Sequence, residues 1–283
     1  MKSLKNVDKA TQVPIYDSDR QGSAAVEEFW AILEYRYLIV QFVRRDILTR
    51  YKRSALGVAW TMLNPLGTML ILTLVFSRAF GGSQEGYAAY VLSGLIAWNF
   101  FAQSTTAATL HLVWGGSLLK KIYIPRTSFA VSATGTGLIN LLLSLIPLVI
   151  VMLIIRVPIR WTVILLPIPI LFLGMFALGV GLFISTMAIY YADIAEMYQI
   201  FLTAWFYLTP VIWSPEILPE LYGLWITRLN PMFYLVELFR VPVYYGQVPD
   251  LQLLLISGAI AVFTLFFGWM FFTSKSDEFA YRV

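Results

Sequence analysis

The sequence predicts an all-α, polytopic membrane protein. Its expected architecture is six transmembrane helices, an N-terminal amphipathic interface helix, and short re-entrant or outer-side helices before the last span. Three observations carry this. Apolar stretches at about 57–80, 87–112, 127–155, 161–190, 197–213 and 251–273 approach the roughly 20 residues a helix needs to cross the hydrocarbon core. Hydrophobic residues make up 59% of the chain and charged residues only 13%, whereas soluble domains carry about 25% charged residues. Fifteen of the 20 Lys and Arg lie before residue 57, in the break after the second stretch, or in the tail. The other five are Arg78, Arg156, Arg160, Arg228 and Arg240. The positive-inside rule then places both termini in the cytoplasm.

Residues 1–25 are polar and mixed in charge, as expected of a mobile cytoplasmic segment. They contain no apolar region of a cleavable signal, so the first span is expected to direct insertion. In 26–56 the pattern changes. Phe29, Trp30, Leu33, Tyr37 and Val40 recur at helical spacing among Glu27, Glu34, Arg36 and Gln41. This predicts an amphipathic helix, either in the cytoplasmic interface or packed on the protein's own core. A basic run from Arg44 to Arg53 leads into the membrane domain, 57–273.

The first span contains Asn64-Pro65, expected to kink it or mark an irregular turn. The second is the most polar, with Asn99, Gln103, Ser104, Thr105, Thr106 and Thr109 inside it. Such residues either hydrogen-bond between helices or line a wet path. The break after it, 118–126, suits a short amphipathic helix stopped by Pro125. Gly174, Gly179 and Gly181 in the fourth span suit close helix contact. Residues 214–250 hold five prolines, and the pieces 216–227 and 232–245 are too short to cross. They read as re-entrant helices or as an ordinary capping loop. Glu237 and Arg240 are spaced to pair on one helix face. The cytoplasmic tail is 274–283.

The missing chemistry narrows the function. Cysteine is absent and His111 is the single histidine, so thiolate metal sites are excluded. No phosphate-binding loop occurs, since Gly115-Gly116-Ser117 runs into Leu118-Leu119-Lys120-Lys121. There is no GxSxG or HExxH motif. Span interiors hold essentially no ionisable groups, which disfavours a proton-coupled carrier. Asp193 and Glu196 form the only close acidic pair on the inner side, with nothing to make them an enzyme site. No soluble basic domain is present for nucleic acid. What remains is a transport pathway without an engine, so an energy source must dock from outside. Residues 118–126 can receive it, or can be a topology-setting basic loop.

Several motifs in order resemble the ABC-2 type permeases. They are Glu34-Tyr35-Arg36, Arg45-Asp46-Ile47-Leu48-Thr49-Arg50-Tyr51-Lys52, Leu56-Gly57-Val58-Ala59-Trp60, and Leu63-Asn64-Pro65-Leu66. Lys120-Lys121-Ile122-Tyr123-Ile124-Pro125-Arg126 resembles that family's coupling segment, and Leu229-Asn230-Pro231 with Glu237-Leu238-Phe239-Arg240 its outer-side segment. The chain is most similar to the O-antigen, capsule and teichoic acid exporters, from about Glu27 onwards. One departure is Ala192, where a basic residue is expected before Asp193.

The resemblance implies a bacterial inner-membrane permease working as two copies with two copies of a separate ABC-type ATPase. ATP and Mg would be bound by that partner and no cofactor by this chain. The cargo implied is polysaccharide on undecaprenyl diphosphate. Coupling is then assigned to Lys120, Lys121, Ile122, Tyr123, Pro125 and Arg126, with Phe29 and Trp30 of the interface helix. Arg44, Arg45, Arg50, Lys52 and Arg53 lie at the depth of a lipid diphosphate, and the Arg fork suits phosphate; plain positive-inside anchoring is the alternative. Trp98, Phe101, Tyr198, Phe201 and Trp205 are candidates to stack on sugar faces along a glycan path, or else belong to interfacial belts. Export of drugs or small lipids is the second reading, and a membrane glycan-transfer enzyme a more distant one.

Overall fold

The computed structural model describes residues 24–52, 54, 56–80, 86–114, 124–217, 219 and 225–279, and their regular structure is helical throughout. The N-terminal segment before residue 24 and most of the 118–126 segment lie outside the described residues. The helices are α1 (Ala24–Glu34), α2 (Arg36–Tyr51), α3 (Ala59–Phe80), α4 (Tyr87–Trp114), α5 (Thr127–Ile154), α6 (Pro167–Tyr190), α7 (Ile194–Leu208), α8 (Pro231–Arg240) and α9 (Leu251–Lys275). A 3-10 turn, Trp161–Leu165, leads into α6.

Four segments among the described residues are long and apolar enough to cross a membrane: Ala59–Arg78, Thr127–Ile154, Trp161–Tyr190 and Leu251–Lys275. Two expected spans differ from these for identifiable reasons. The 28 residues of α4 reach about 42 Å at 1.5 Å per residue, but its polar side chains dilute its apolarity. The expected span 197–213 is instead the 15-residue α7. Thr209 leaves the helix at φ −93°, ψ 133°, the extended conformation favoured before a proline such as Pro210. Residues 209–212 are then buried as irregular chain.

The bundle is organised around α4, which packs against α3, α5, α6, α7 and α8. Tyr90, Leu92, Phe101 and their neighbours on α4 are fully buried. Membrane helices gain little hydrophobic drive from one another, so close fit matters most. It is tightest where α6 crosses α9: a Cβ at Gly179 would meet the backbone of Thr264 and Leu265, and one at Gly268 the backbone of Gly179. Only glycine allows this approach. The other two expected contact residues differ: Gly174 has open space around it, while a Cβ at Gly181 would meet Ala108 of α4 at 3.1 Å.

α3 runs through Pro65 as continuous helix. Proline lacks the N–H that would bond the carbonyl four residues earlier. That carbonyl is Thr61 O, and Ser144 Oγ of α5 lies 3.4 Å from it.

The amphipathic N-terminal segment forms two helices broken at Tyr35, and packing on the protein's own core is seen directly. Phe42 stacks on Phe129 of α5 at 5.5 Å, and Trp269 of α9 donates to Ala25 O at 3.1 Å. Phe29, Trp30, Leu33, Tyr37 and Val40 remain exposed. One side is therefore docked and the other presents an apolar aromatic face.

Residues 231–245 are neither a span nor a surface loop. α8 buries Met232, Leu235, Val236, Leu238 and Phe239 in the core, and a π-helical turn, Val241–Tyr245, ends at Gly246 with φ 62°. Thr162 Oγ1 donates to Pro242 O at 2.8 Å, tying this turn to the segment before α6.

Candidate functional site

The polar residues of α4 divide between two faces. On one face Tyr198 of α7 donates to Thr105 Oγ1 at 2.8 Å, and Thr105 and Thr109 donate to carbonyls one turn back, Phe101 O at 2.9 Å and Thr105 O at 3.0 Å. The first of these bonds joins α7 to α4, and the other two lie within α4. The other face carries Asn99, Gln103 and Thr106, spaced one turn apart, and lines open space. Interhelical bonding is met by the first stripe; the second borders the cavities that a wet path would need.

Two cavities share Arg50, Asn99 and Gln103 and so form one recess. The inner one, about 390 Å³, lies between α3, α4 and α5 and is lined by Trp60, Asn64, Asn140 and Ser144 among others. The second, about 750 Å³, opens along α4 and α7 and is lined by Trp98, Thr106, His111, Gln199 and Tyr207 among others. Gln199 donates to Thr106 Oγ1 at 3.1 Å across it. Arg50 has no acidic partner among the described residues. Among the described residues the recess is thus lined by uncharged hydrogen-bonding side chains, with Arg50 as the one Lys or Arg on its wall.

The five candidate rings form a connected cluster. Trp98, Phe101, Phe201 and Trp205 meet ring to ring with centroids 5.2–6.0 Å apart, and Tyr198 joins through Phe201 at 6.4 Å. Their exposure separates them. Trp98, Phe101 and Tyr198 are buried within the protomer, Trp205 is half-buried and Phe201 is exposed. Within one copy, Phe201 offers a free face, and Trp98 borders the recess.

The basic run also divides. Arg44, Arg45 and Lys52 line a shallow groove of about 730 Å³ beside α2. Arg45 is paired with Asp46 at 2.9 Å and lies over the Phe42 ring at 4.9 Å. Arg50 alone of the described basic residues faces the recess, and Arg53 lies outside the described residues. His111 Nδ1 of α4 and Asp46 Oδ2 of α2 lie 3.7 Å apart, beyond hydrogen-bond distance.

Of the 118–126 segment only Ile124, Pro125 and Arg126 are described; Lys120, Lys121, Ile122 and Tyr123 lie outside. Ile124 is buried, in a cluster with Phe42 and Phe129. Next to it Thr127 Oγ1 donates to Glu28 Oε2 at 2.7 Å. Burial pushes the Glu28 carboxyl above its ordinary value, opposed by the Thr127 hydrogen bond and by nearby Arg126. The start of α5 and the interface helix therefore touch directly, as transmission between the two would need. Among the described residues no group of His, Asp and Glu is placed to hold a metal ion.

The family model for ABC-2 type transporters matches residues 37–244, from α2 through α8. The chain belongs to the ABC-2 type transporter family. It is 29% identical over 251 residues to the O-antigen export system permease protein RfbA of Myxococcus xanthus, covering 88% of this chain and 96% of that protein. It is 26% identical over 208 residues to the protein of the same name from Klebsiella pneumoniae, covering 72% and 78%. This ABC-2 protein is a membrane subunit of a transporter rather than an enzyme, and its apolar helices make it multi-pass.

The ABC-2 segment before the last helix is fixed by Asn230 at its start and Arg240 at its end. Asn230 caps α8 through Met232 N at 3.0 Å, accepts from Trp205 Nε1 at 2.8 Å and donates to Thr209 Oγ1 at 2.9 Å. Pro231 takes the first helical position, where its missing N–H costs nothing. Arg240 is 1% exposed. It donates to Pro210 O at 2.6 Å, Val211 O at 2.8 Å and Tyr90 Oη at 3.0 Å, and lies 3.8 Å over the Tyr90 ring. Glu237 is 3.9 Å away, the pairing their spacing suggested. The carbonyls at 210 and 211 are those exposed where α7 breaks.

Proposed function

We propose that this chain is the permease subunit of an ATP-driven exporter that moves polysaccharide on undecaprenyl diphosphate across the bacterial inner membrane. The observation that carries the proposal is the hydrogen-bonding recess walled by Arg50, Asn99 and Gln103 in an otherwise apolar bundle. A glycan needs many weak, neutral hydrogen-bonding partners, and a lipid diphosphate needs a cation. Family membership and relatives named for O-antigen export support the cargo class.

In this reading six crossings place both termini in the cytoplasm, with α4 and the α7 segment completing the four apolar spans. Two copies form the pathway, and the exposed apolar faces of α3 and α9 meet lipid or the second copy. Membership of the family implies an ABC-type ATPase as partner; two copies of it bind ATP and Mg below. Its stroke acts on Lys120, Lys121, Ile122, Tyr123, Pro125 and Arg126, and on Phe29 and Trp30. Arg44, Arg45, Arg50, Lys52 and Arg53 receive the headgroup, and Phe201 with Trp205 contributes rings to the glycan path.

The test is the chain purified with its ATPase partner in nanodiscs. Lipid-linked polysaccharide should stimulate ATP hydrolysis, and depletion in cells should remove surface glycan while lipid-linked glycan accumulates inside. Surface glycan unchanged alongside increased drug sensitivity would replace this reading with export of drugs or small lipids. Replacing Lys120, Lys121 and Arg126 with Ala should reduce stimulated hydrolysis several-fold while membrane insertion, checked by fractionation, is retained.

A further inference from the structure

The inner cavity has a composition that lipid anchoring and helix packing do not require. Three helices contribute carboxamide residues to its lining: Asn64 from α3, Asn99 and Gln103 from α4, Asn140 from α5. None of these four side chains is hydrogen-bonded to another described residue, whereas the hydroxyls of Ser54, Thr61 and Ser144 on the same lining are engaged. Ser54 Oγ accepts from Gly57 N at 3.1 Å, Thr61 donates to Val58 O at 2.6 Å and Ser144 to Asn140 O at 2.8 Å. Helix glue in a membrane bonds across helices; these carboxamides make no such bond and line the cavity instead. Gly137 keeps that arrangement close, since a Cβ there would meet Ser104 Oγ and Phe100 of α4.

The chemistry of this lining selects its ligand. A carboxamide both donates and accepts and carries no charge, which matches the hydroxyl and acetamido groups of a sugar and not an acyl chain. Trp60 on the wall supplies an aromatic face. At about 390 Å³ the cavity is at the small end of ligand sites, about 300–1,000 Å³. Arg50 is common to this cavity and the larger one, so a phosphate held there would leave an attached ring beside the carboxamides.

We infer that each protomer contains a single-pyranose subsite, formed by Asn64, Asn99, Gln103 and Asn140 next to Arg50, that reads the sugar attached to the lipid diphosphate. The inference rests on the export reading and adds to it the part of the substrate that is recognised within one copy. The first sugar is thereby distinguished from the repeating glycan, which needs only sliding contacts.

The test uses the chain with its ATPase partner in nanodiscs and two probes, undecaprenyl diphosphate and undecaprenyl diphosphate bearing one N-acetylhexosamine. The sugar-bearing probe should bind about tenfold tighter, the scale of one or two net hydrogen bonds. Asn99→Leu and Asn140→Leu should each remove most of that difference and leave the bare lipid unchanged. Arg50→Gln should weaken both probes alike. Asn99→Thr and Asn140→Thr carry the same comparison if a Leu variant does not assemble. Equal binding of the two probes by the unaltered complex, or loss of both probes alike in the Asn variants, overturns the subsite and leaves the export reading standing. Binding of neither probe to the unaltered complex overturns both.

Discussion

Arg240 and Arg50 are the same residue type in opposite conditions. Arg240 is sealed in the protein, with three hydrogen-bond acceptors, an aromatic ring beneath it and an acid nearby. Arg50 faces a recess with no acid in reach among the described residues. The region around Arg240 uses its polar groups internally: Asn230 and Tyr90 are satisfied by the protein itself. The region around Arg50 leaves Asn64, Asn99 and Asn140 unsatisfied by protein. A buried charge whose guanidinium NH2 groups are matched to carbonyls and a hydroxyl fixes a shape, while an exposed, unmatched charge beside free carboxamides is available to a ligand. A count of charges along the chain treats the two alike.

The sealed region should be the more fragile to substitution. Arg240→Met removes the donors for Pro210 O and Val211 O and leaves Glu237 without its partner. Breaking a buried charged contact costs about 3–5 kcal/mol, the largest effect expected here. It should appear as a large fall in unfolding temperature in detergent. Arg240→Lys should rescue little, because an ammonium cannot reproduce the fork spanning two carbonyls and a hydroxyl. Arg50→Gln should leave unfolding unchanged within about 0.5 kcal/mol. Equal losses for Arg50 and Arg240 would abolish the distinction between anchor and site.

The α6–α9 crossing sharpens the contrast without any charge. Gly268→Val places a side chain against the Gly179 backbone, which cannot yield as a flexible side chain does. Overpacking of this kind costs about 1–3 kcal/mol. Gly174→Ala on the same helix should be near neutral, since nothing lies within 4 Å of a Cβ there. Unfolding of the two variants side by side tests whether approach distance, rather than glycine as such, is what the crossing needs.

These distinctions mark what the sequence could disclose. Long apolar runs and their flanking charges led directly to α3, α5, α6 and α9, because burial in lipid is a local property of composition. Asn230-Pro231 was legible as part of a motif, and its local chemistry is a cap followed by a first-turn proline. The break of α7 was also written locally, in Thr209-Pro210, but the apolar residues on either side read as one span. Arg240 was not legible as an anchor: its acceptors are 29 or more residues away in the chain, and its ring, Tyr90, is 150 away. Asn140 is one amide in a long apolar helix, which by itself marks no site. Its meaning arises only when α3 and α4 bring Asn64 and Asn99 beside it.

Asn230→Ala should rank below the glycine crossing, at about 1–2 kcal/mol, the usual loss for a helix N-cap. It also frees Trp205 Nε1, so tryptophan emission should shift along with unfolding. A shift in emission without loss of stability would show that the cap is supplied by another group.

The smallest effect belongs to Glu28, which joins the interface helix to the start of α5 and stands between the sealed and open extremes. Its carboxyl accepts from Thr127 at 2.7 Å, but burial raises it above the ordinary carboxylate value. A group raised in the folded state contributes its stability fully below its unfolded value and loses it as pH rises through the folded one. Glu28 should therefore favour docking of α1 most in acid and least at neutral pH and above. Glu28→Gln retains an acceptor for Thr127 and removes the ionisation, so docking should become independent of pH across that range. The gain at neutral pH should be below about 1 kcal/mol, the scale of one net hydrogen bond. Protease protection of the 24–34 region, followed from pH 4 to 8 in both forms, reads this directly. Identical pH profiles would mean that Glu28 is solvated in the membrane-bound protein, and that α1 is held by Trp269 and its neighbours alone.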